Sequence, residues 1–173
     1  MTLSPNQFDS SHIHVRHPSV SDGAAIWELV GSTQVLEPNT CYAYLLLATH
    51  FADTCLVAES DGHLIGFVAA YRPPTKPGVV FVWQIGVSHV ARGRGLAKRL
   101  LHDLVDLPAC EAVTHLEATV AATNEPSLRL FSGFARERGV PCERGRGFEA
   151  ADFSPLTHES EALLRIGPLR RDP

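Results

Sequence analysis

The chain has 173 residues, of which 45% are hydrophobic and 20% are charged, and its net charge at pH 7 is −4. This length predicts a single domain with an adequate core, and the acidic balance gives no reason to expect nucleic acid or an anionic membrane as a partner. No apolar run approaches the roughly 20 residues that a membrane span needs. Four scattered cysteines without a Cys-x-x-Cys pair favour a reduced cytoplasmic protein and indicate neither a disulfide framework nor a metal site.

The N-terminal part of the chain predicts a tail, a strand and a helix. Residues 1–11 are polar and are expected to be flexible, which leaves 12–173 as the single domain. Alternating residues over 12–16 indicate a first strand. A Ser-Asp pair at 21–22 then offers an N-cap for a helix that Gly31 is expected to end.

A very apolar helix and three strands are predicted next. Residues 41–51 give the helix, and the strands at 54–59 and 63–71 are joined by an Asp-Gly pair that is typical of a tight hairpin. Residues 79–87 are almost all apolar or β-branched, which indicates a strand buried in the centre of a sheet.

The second half of the chain is predicted to alternate helices with strands. The predicted elements are a helix that stops at Pro108, a strand over 114–120, a helix from Asn124 to Gly139, an irregular strand over 140–148, a loop over 153–161 and a final strand over 163–167. Because a helix connects the strand at 114–120 to the one at 79–87, these two strands should be parallel.

The turn between the central strand and its helix reads Arg92-Gly93-Arg94-Gly95-Leu96-Ala97. A strand followed by a glycine-rich turn and a helix is an arrangement that binds phosphate groups. The first N–H groups of the helix lack internal partners, the helix dipole is positive there, and glycine permits close approach. An ordinary tight connection between strand and helix is the alternative interpretation.

These residues resemble the Q/R-x-x-G-x-G/A signature of the GNAT acetyltransferases, with Arg92, Gly95 and Ala97 at the matching positions. The helix from Asn124 to Phe131 is similar to another family segment, although many members have tyrosine where Phe131 stands. The resemblance implies an α/β GNAT fold: one mixed sheet of six or seven strands, about four flanking helices, and splayed parallel strands four and five. It also implies acetyl-CoA as co-substrate, bound by Ile85, Gly86, Val87, Arg92, Gly93, Arg94, Gly95, Leu96, Ala97, Asn124 and Phe131.

Longer segments resemble the diaminobutyrate acetyltransferase family, which acts in ectoine synthesis. The similar segments are residues 36–51, 81–87, 148–153, 158–159 and 163–168. The resemblance implies transfer of acetyl from acetyl-CoA to the 4-amino group of L-2,4-diaminobutyrate, by direct attack of the amine on the thioester. It further implies a homodimer and a role in osmoprotection.

The implied acceptor needs a base for its ammonium proton and partners for its charges. The candidate bases are Glu37, Glu117, His158 and Glu159, and the candidate substrate-binding residues are Glu37, Tyr42, Trp83, Gln84, His158 and Glu159. Each has a structural alternative: helix packing for Tyr42, a core position for Trp83, an ordinary loop histidine for His158, and an ion-paired or solvent-facing strand position for Glu117.

Two other functions stay open at this point. The chain is compatible with a GNAT enzyme for a different small amine, such as a polyamine, an aminoglycoside or a peptide N-terminus. It is also compatible with a non-catalytic acetyl-CoA sensor, for which the phenylalanine at position 131 is the only support.

Overall fold

The computed structural model of the protein describes residues 13–33, 36, 39–153 and 158–169. The expected flexible segment 1–11 lies outside them, and so does Glu37. Within the described residues, seven strands form one mixed sheet in the order β1-β2-β3-β4-β5-β7-β6. The strands are β1 His14–Arg16, β2 Cys55–Ser60, β3 His63–Tyr71, β4 Val79–Val87, β5 His115–Ala121, β6 Cys142–Phe148 and β7 Glu161–Ile166.

Four α-helices accompany the sheet over the described part of the chain: α1 Asp22–Thr33, α2 Cys41–His50, α3 Leu96–Val105 and α4 Glu125–Arg138. This confirms the expected mixed sheet with about four helices. None of these helices has both the length and the apolar character that crossing a bilayer would require.

The helices divide between two hydrophobic clusters. Leu100 and Leu104 of α3 and Phe134 of α4 are fully buried in the larger cluster, together with Leu116 of β5. In the smaller cluster, residues of α1 and α2 pack with residues of β2 and β3. Because successive strand residues point to opposite faces, the odd-numbered residues of β5 point away from the face that Leu116 occupies.

The parallel pairing of β4 with β5 is short, and this opens the centre of the sheet. The paired residues are Val79 with His115, Val80 with Leu116, and Phe81 with Glu117. Beyond these pairs β4 stays bonded to β3 and β5 stays bonded to β7, so the two central strands separate. The predicted parallel arrangement is confirmed, and the gap forms where the pairing stops.

Local signals account for most element boundaries. Thr40 caps α2 by accepting a hydrogen bond from the N–H of Ala43, and Asn124 caps α4 by accepting one from the N–H of Ser127. Gly139 ends α4 in the left-handed conformation, with φ 64°. The hairpin between β2 and β3 turns at residues 61–62, as its Asp-Gly pair predicts.

Several predicted boundaries were wrong. The helix predicted to stop at Pro108 ends at Val105, and the strand predicted over 140–148 begins at Cys142. The first helix does not end at Gly31 but continues to Thr33, because the burial of Val30 and Thr33 outweighs the low helix propensity of one exposed glycine. The final strand begins at Glu161, which had been assigned to the preceding loop; its pairing with Ala121 of β5 extends the strand.

Candidate active site between the central strands

A cleft of about 970 Å³ occupies the gap between β4 and β5. Its walls come from both strands, from the first two turns of α4, from the loop before β4 and from the segments around Phe153 and His158. Ligand sites of this size are typically concave and largely preformed. Ionisable side chains, among them Glu117, His158 and Glu159, line this cleft. The glycine-rich turn follows the end of β4 at Val87 and lies outside the residues that line it.

The glycine-rich turn has the backbone geometry of an anion site. Gly93 and Gly95 have φ values of 74° and 78°, which β-carbon-bearing residues rarely adopt. Gly95 is the N-cap of α3, and no side chain caps this helix. The positive end of the α3 dipole is therefore directed at the turn, with Leu96 buried beneath it.

Arg92 is exposed in this turn, but its side chain is held by a contact with α1. Its guanidinium donates a hydrogen bond of 2.9 Å to the carbonyl oxygen of Thr33 at the end of α1. Arg94 is exposed in the same turn, and Ala97 is half-buried in the first turn of α3. The turn is thus fastened to α1 through its first residue.

The edge of β4 that faces the gap continues from Val82 to Val87. On its other edge this strand pairs with β3, where Gly86 lies opposite Phe67 and Val87 opposite Gly66. A β-carbon at Gly86 would lie 2.7 Å from the Phe67 ring, so close packing requires glycine there. Ile85 lines the cleft, as do Asn124 and Phe131 of the facing helix; Phe131 is 3% exposed.

Glu117 lies at the closed end of the cleft and is 1% exposed. Its Oε2 accepts a hydrogen bond of 2.8 Å from Nζ of Lys76, and its Oε1 pairs with the guanidinium of Arg165. Two cations, Lys76 and Arg165, therefore surround one buried carboxylate. Nearby, burial lowers the pKa of His115, the first residue of β5, and the charge of Arg165 acts in the same direction.

A second carboxylate, that of Glu161 on β7, lies beside Thr119, which is two residues beyond Glu117 on β5. Oε2 of Glu161 accepts a 2.5 Å hydrogen bond from the hydroxyl of Thr119, and its Oε1 is 3.8 Å from Nε2 of His158. Sequence reasoning missed Glu161 because it was assigned to a loop. The alternation of β7 could have shown that it shares a face with Leu163 and Arg165.

His158 has a defined orientation at the rim of the cleft. Its Nδ1 lies 2.9 Å from the carbonyl oxygen of Glu159, and its ring stacks on Phe153 with centroids 4.0 Å apart. Since a carbonyl oxygen only accepts, Nδ1 carries the proton in the neutral ring and Nε2 is the basic nitrogen. Glu159 is exposed and accepts a hydrogen bond from the hydroxyl of Thr123.

The remaining candidate residues divide between the cleft and its surroundings. Trp83 and Gln84 line the cleft from β4, and the carbonyl oxygen of the Gln84 side chain accepts a 2.8 Å hydrogen bond from the buried Tyr44 hydroxyl. Tyr42 is 66% exposed on α2 and does not line the cleft. The structure therefore brings together Glu117, His158, Glu159, Trp83 and Gln84, and leaves Tyr42 on the outer surface.

The arrangement can place an acyl thioester beside a charged small molecule. The turn can hold a diphosphate, the gap-facing edge of β4 can pair with an extended chain, and the other side offers carboxylates for ammonium groups. Among the residues that the structure describes, no group of three or more histidine, cysteine or acidic side chains is arranged to hold a metal ion.

Comparisons with known proteins agree with this geometry. Residues 24–134 match the model of the acetyltransferase (GNAT) family. The L-2,4-diaminobutyric acid acetyltransferase of Halalkalibacterium halodurans is 43% identical over 168 residues, covering 97% of this chain and 88% of that protein. The enzyme of the same name from Bordetella parapertussis is 46% identical over 161 residues, covering 92% and 87%.

A solved structure is similar over nearly the whole fold. It is the diaminobutyrate acetyltransferase of Paenibacillus lautus in complex with its substrate L-2,4-diaminobutyric acid and coenzyme A. Its TM-score is 0.88 at 40% identity, and the alignment covers 93% of this chain and 98% of that one.

Proposed function

The chain belongs to the acetyltransferase (GNAT) family and, within it, to the L-2,4-diaminobutyric acid acetyltransferases, and on that premise we propose that it acetylates the 4-amino group of L-2,4-diaminobutyrate with acetyl-CoA. The observation that carries the proposal is the separation of β4 from β5 beyond Phe81 and Glu117. It opens a cleft that Glu117, Glu159 and Glu161 line, and the phosphate-type turn follows the end of β4.

The turn and the gap-facing edge of β4 are the proposed cofactor site. The pyrophosphate of CoA would lie on the N–H groups of residues 93–97, at the positive end of α3. The pantetheine arm would pair with the backbone of β4 at Ile85–Val87, as an added strand does. Asn124 and Phe131 would border the arm from α4, because both line the cleft.

The acceptor would lie in the part of the cleft lined by Trp83, Gln84 and the carboxylates of Glu159 and Glu161. Carboxylates are suitable partners for the two ammonium groups of diaminobutyrate, and the exposed face of Trp83 offers a cation–π contact. Glu37 is a further proposed ammonium partner from outside the described residues. Tyr42 remains a proposed contact by resemblance alone.

We infer that His158 is the general base. Its Nδ1 bond to a carbonyl oxygen leaves Nε2 as the basic nitrogen, and the histidine lines the cleft beside Glu161. Both oxygens of Glu117 are occupied by cations, and Glu159 accepts a hydrogen bond from Thr123, so these carboxylates are less suitable proton acceptors.

The reaction would proceed by direct attack. The uncharged 4-amino group adds to the thioester carbonyl, and a backbone N–H of β4 stabilises the oxyanion that forms. Collapse of this intermediate breaks the C–S bond and releases CoA as a thiolate. The attacking nitrogen loses its extra proton at this stage, and the thiolate takes up one proton to become the free thiol. A thiol with a pKa of about 8.5 needs little help in leaving, so the lack of a hydroxyl at Phe131 is compatible with turnover.

We also propose that the protein is a cytoplasmic homodimer that acts in ectoine biosynthesis and so in osmoprotection. The support is membership of the family. Light scattering of the purified protein tests the dimer: a mass of twice 18.8 kDa is expected, and a mass of 18.8 kDa would contradict it.

Thiol release from acetyl-CoA with L-2,4-diaminobutyrate as acceptor tests the function. We expect turnover, with a product whose 4-nitrogen carries the acetyl group by NMR. Faster turnover with a polyamine, an aminoglycoside or a peptide N-terminus would favour a different small-amine acceptor. Binding of acetyl-CoA without release with any amine would favour the sensor.

A further inference from the structure

We propose that Lys76 binds the α-carboxylate of the acceptor and so makes the enzyme select an amino acid over a plain diamine, an inference that rests on the proposed function. Glu117 acts as the positioning residue that holds Lys76 in the cleft. The observations concern the position of Lys76, its buried anchor, and the order of charges along β5.

Lys76 reaches the cleft from the loop before β4. Among the described residues that line the cleft, it is the one lysine or arginine. An amino-acid acceptor brings a carboxylate into a site whose other charged groups include Glu117, Glu159 and Glu161, so it needs a cation there. Lys76 is the cation in position to provide that contact.

Lys76 and the carboxylate that holds it differ strongly in solvent exposure. The Lys76 side chain is 48% exposed, whereas the carboxylate that holds it, Glu117, is 1% exposed. An ammonium group has three N–H donors, and the bond to Glu117 uses one of them. Arg165 also pairs with Glu117 and so balances part of the negative charge of that carboxylate, while Lys76 lines the cleft.

The order of charges beside β5, a cation and then a carboxylate, is complementary to the carboxylate and the 4-ammonium group of diaminobutyrate. Glu117 and Thr119 are two residues apart on β5 and point to the same side, a separation of roughly 7 Å. The cation of Lys76 is therefore at one end and the carboxylate of Glu161, bound to Thr119, is at the other. In an extended diaminobutyrate the carboxylate and the 4-nitrogen are roughly 5–6 Å apart by standard bond lengths.

The test compares two acceptors in one assay: L-2,4-diaminobutyrate and 1,3-diaminopropane, which has both amines but no carboxylate. In Lys76→Met we expect the KM for diaminobutyrate to rise at least tenfold, while the KM for diaminopropane and for acetyl-CoA stays within about twofold. Lys98→Met is the matched control, because Lys98 is the other lysine of the chain and pairs with Glu137 between α3 and α4. It should change neither acceptor KM.

If the native enzyme acetylates 1,3-diaminopropane too slowly to measure a KM, the variant Lys76→Arg still tests the inference. It retains a cation, so its KM for diaminobutyrate should be closer to the native value than that of Lys76→Met. Equal effects of Lys76→Met on both acceptors, or no effect on diaminobutyrate, would overturn the proposal. A native enzyme that does not acetylate diaminobutyrate at all would instead overturn the proposed function.

Glu117→Gln separates positioning from proton transfer, provided that circular dichroism shows a folded protein. As a positioning residue, Glu117 should mainly affect the KM for diaminobutyrate, and Glu117→Asp should partly restore it. A large fall in kcat with an unchanged KM and a shifted pH profile would make Glu117 the base and would overturn its positioning role.

Discussion

The guanidinium of Arg92 donates a hydrogen bond of 2.9 Å to the backbone carbonyl of Thr33. Thr33 is the last residue of α1, so its carbonyl has no acceptor role within the helix, and Arg92 is the first residue of the glycine-rich turn. The family resemblance places Arg92 at the cofactor. The structure adds a second role, which is to fasten the turn to α1.

We expect Arg92→Met to lower the free energy of unfolding by about 1–3 kcal/mol without any CoA present, because the substitution leaves a carbonyl at a buried helix end without its charged donor. Urea unfolding at pH 7 measures the change. Arg129→Met is the control: Arg129 pairs with Glu125 on an exposed helix face, so about 0.5 kcal/mol or less is expected. Unchanged stability of Arg92→Met in the apo protein would contradict the fastening role.

Gly95→Val should raise the KM for acetyl-CoA more than tenfold. Valine is strained at the φ of 78° found there, so the turn will rearrange and its N–H groups will no longer converge. A β-carbon at this position meets no atom within 4 Å, so the effect comes from backbone conformation and not from a clash. Initial rates over a range of acetyl-CoA concentrations measure it.

Gly139→Val is the matched control for that substitution. Gly139 also has a positive φ, 64°, and open space around its β-carbon position, but it ends α4 and is not part of the glycine-rich turn. Both variants should lose a similar amount of stability, about 1–3 kcal/mol. Only Gly95→Val should weaken acetyl-CoA binding. An equal rise in the KM for acetyl-CoA in both variants would contradict the phosphate-binding role of the turn.

The parts of the fold that the sequence predicted correctly depend on residues that are close together along the chain. The glycine-rich turn, the start of α4 next to Asn124 and its end at Gly139 are each determined by a few consecutive residues, and each was predicted. Gly31 shows the limit of such rules, because the tertiary packing of α1 overrides a local breaker.

The interior of the candidate site could not be predicted in this way. Lys76 meets Glu117 across 41 residues, and Thr119 meets Glu161 across 42, and both contacts depend on strand register. Alternation indicated that Glu117 points away from the face of Leu116, but not which residues it would meet there. Contacts of this kind are set by the assembled sheet.

Asp22→Asn should destabilise the protein at pH 7 but not in strong acid. Bidentate hydrogen bonds from Arg16 and a further one from the N–H of Ser19 lower the pKa of Asp22 from 3.8 to about 2. A lowered folded-state pKa contributes stability above the unfolded-state value and loses it as the pH falls through the folded-state value. The contribution is about 1–2 kcal/mol, and it should disappear between pH 4 and pH 2.

Urea unfolding of the native protein and of Asp22→Asn at several pH values measures this difference. Asp103→Asn is the control, because its contact with Arg99 is exposed and 3.5 Å long. A difference between native protein and Asp22→Asn that does not depend on pH would mean that the Arg16 pair contributes nothing through its charge.

His158→Gly should lower kcat about 100-fold and leave the KM for acetyl-CoA within about threefold, because a general base contributes at least this much and the thioester binds elsewhere. Added imidazole should restore part of the rate, since the cleft would then have room for the missing ring. His63→Gly, at the exposed start of β3, should behave like the native enzyme. If instead His158→Gly keeps its kcat and raises only the KM for diaminobutyrate, the imidazole shapes the acceptor slot against Phe153 and the proton leaves by another route.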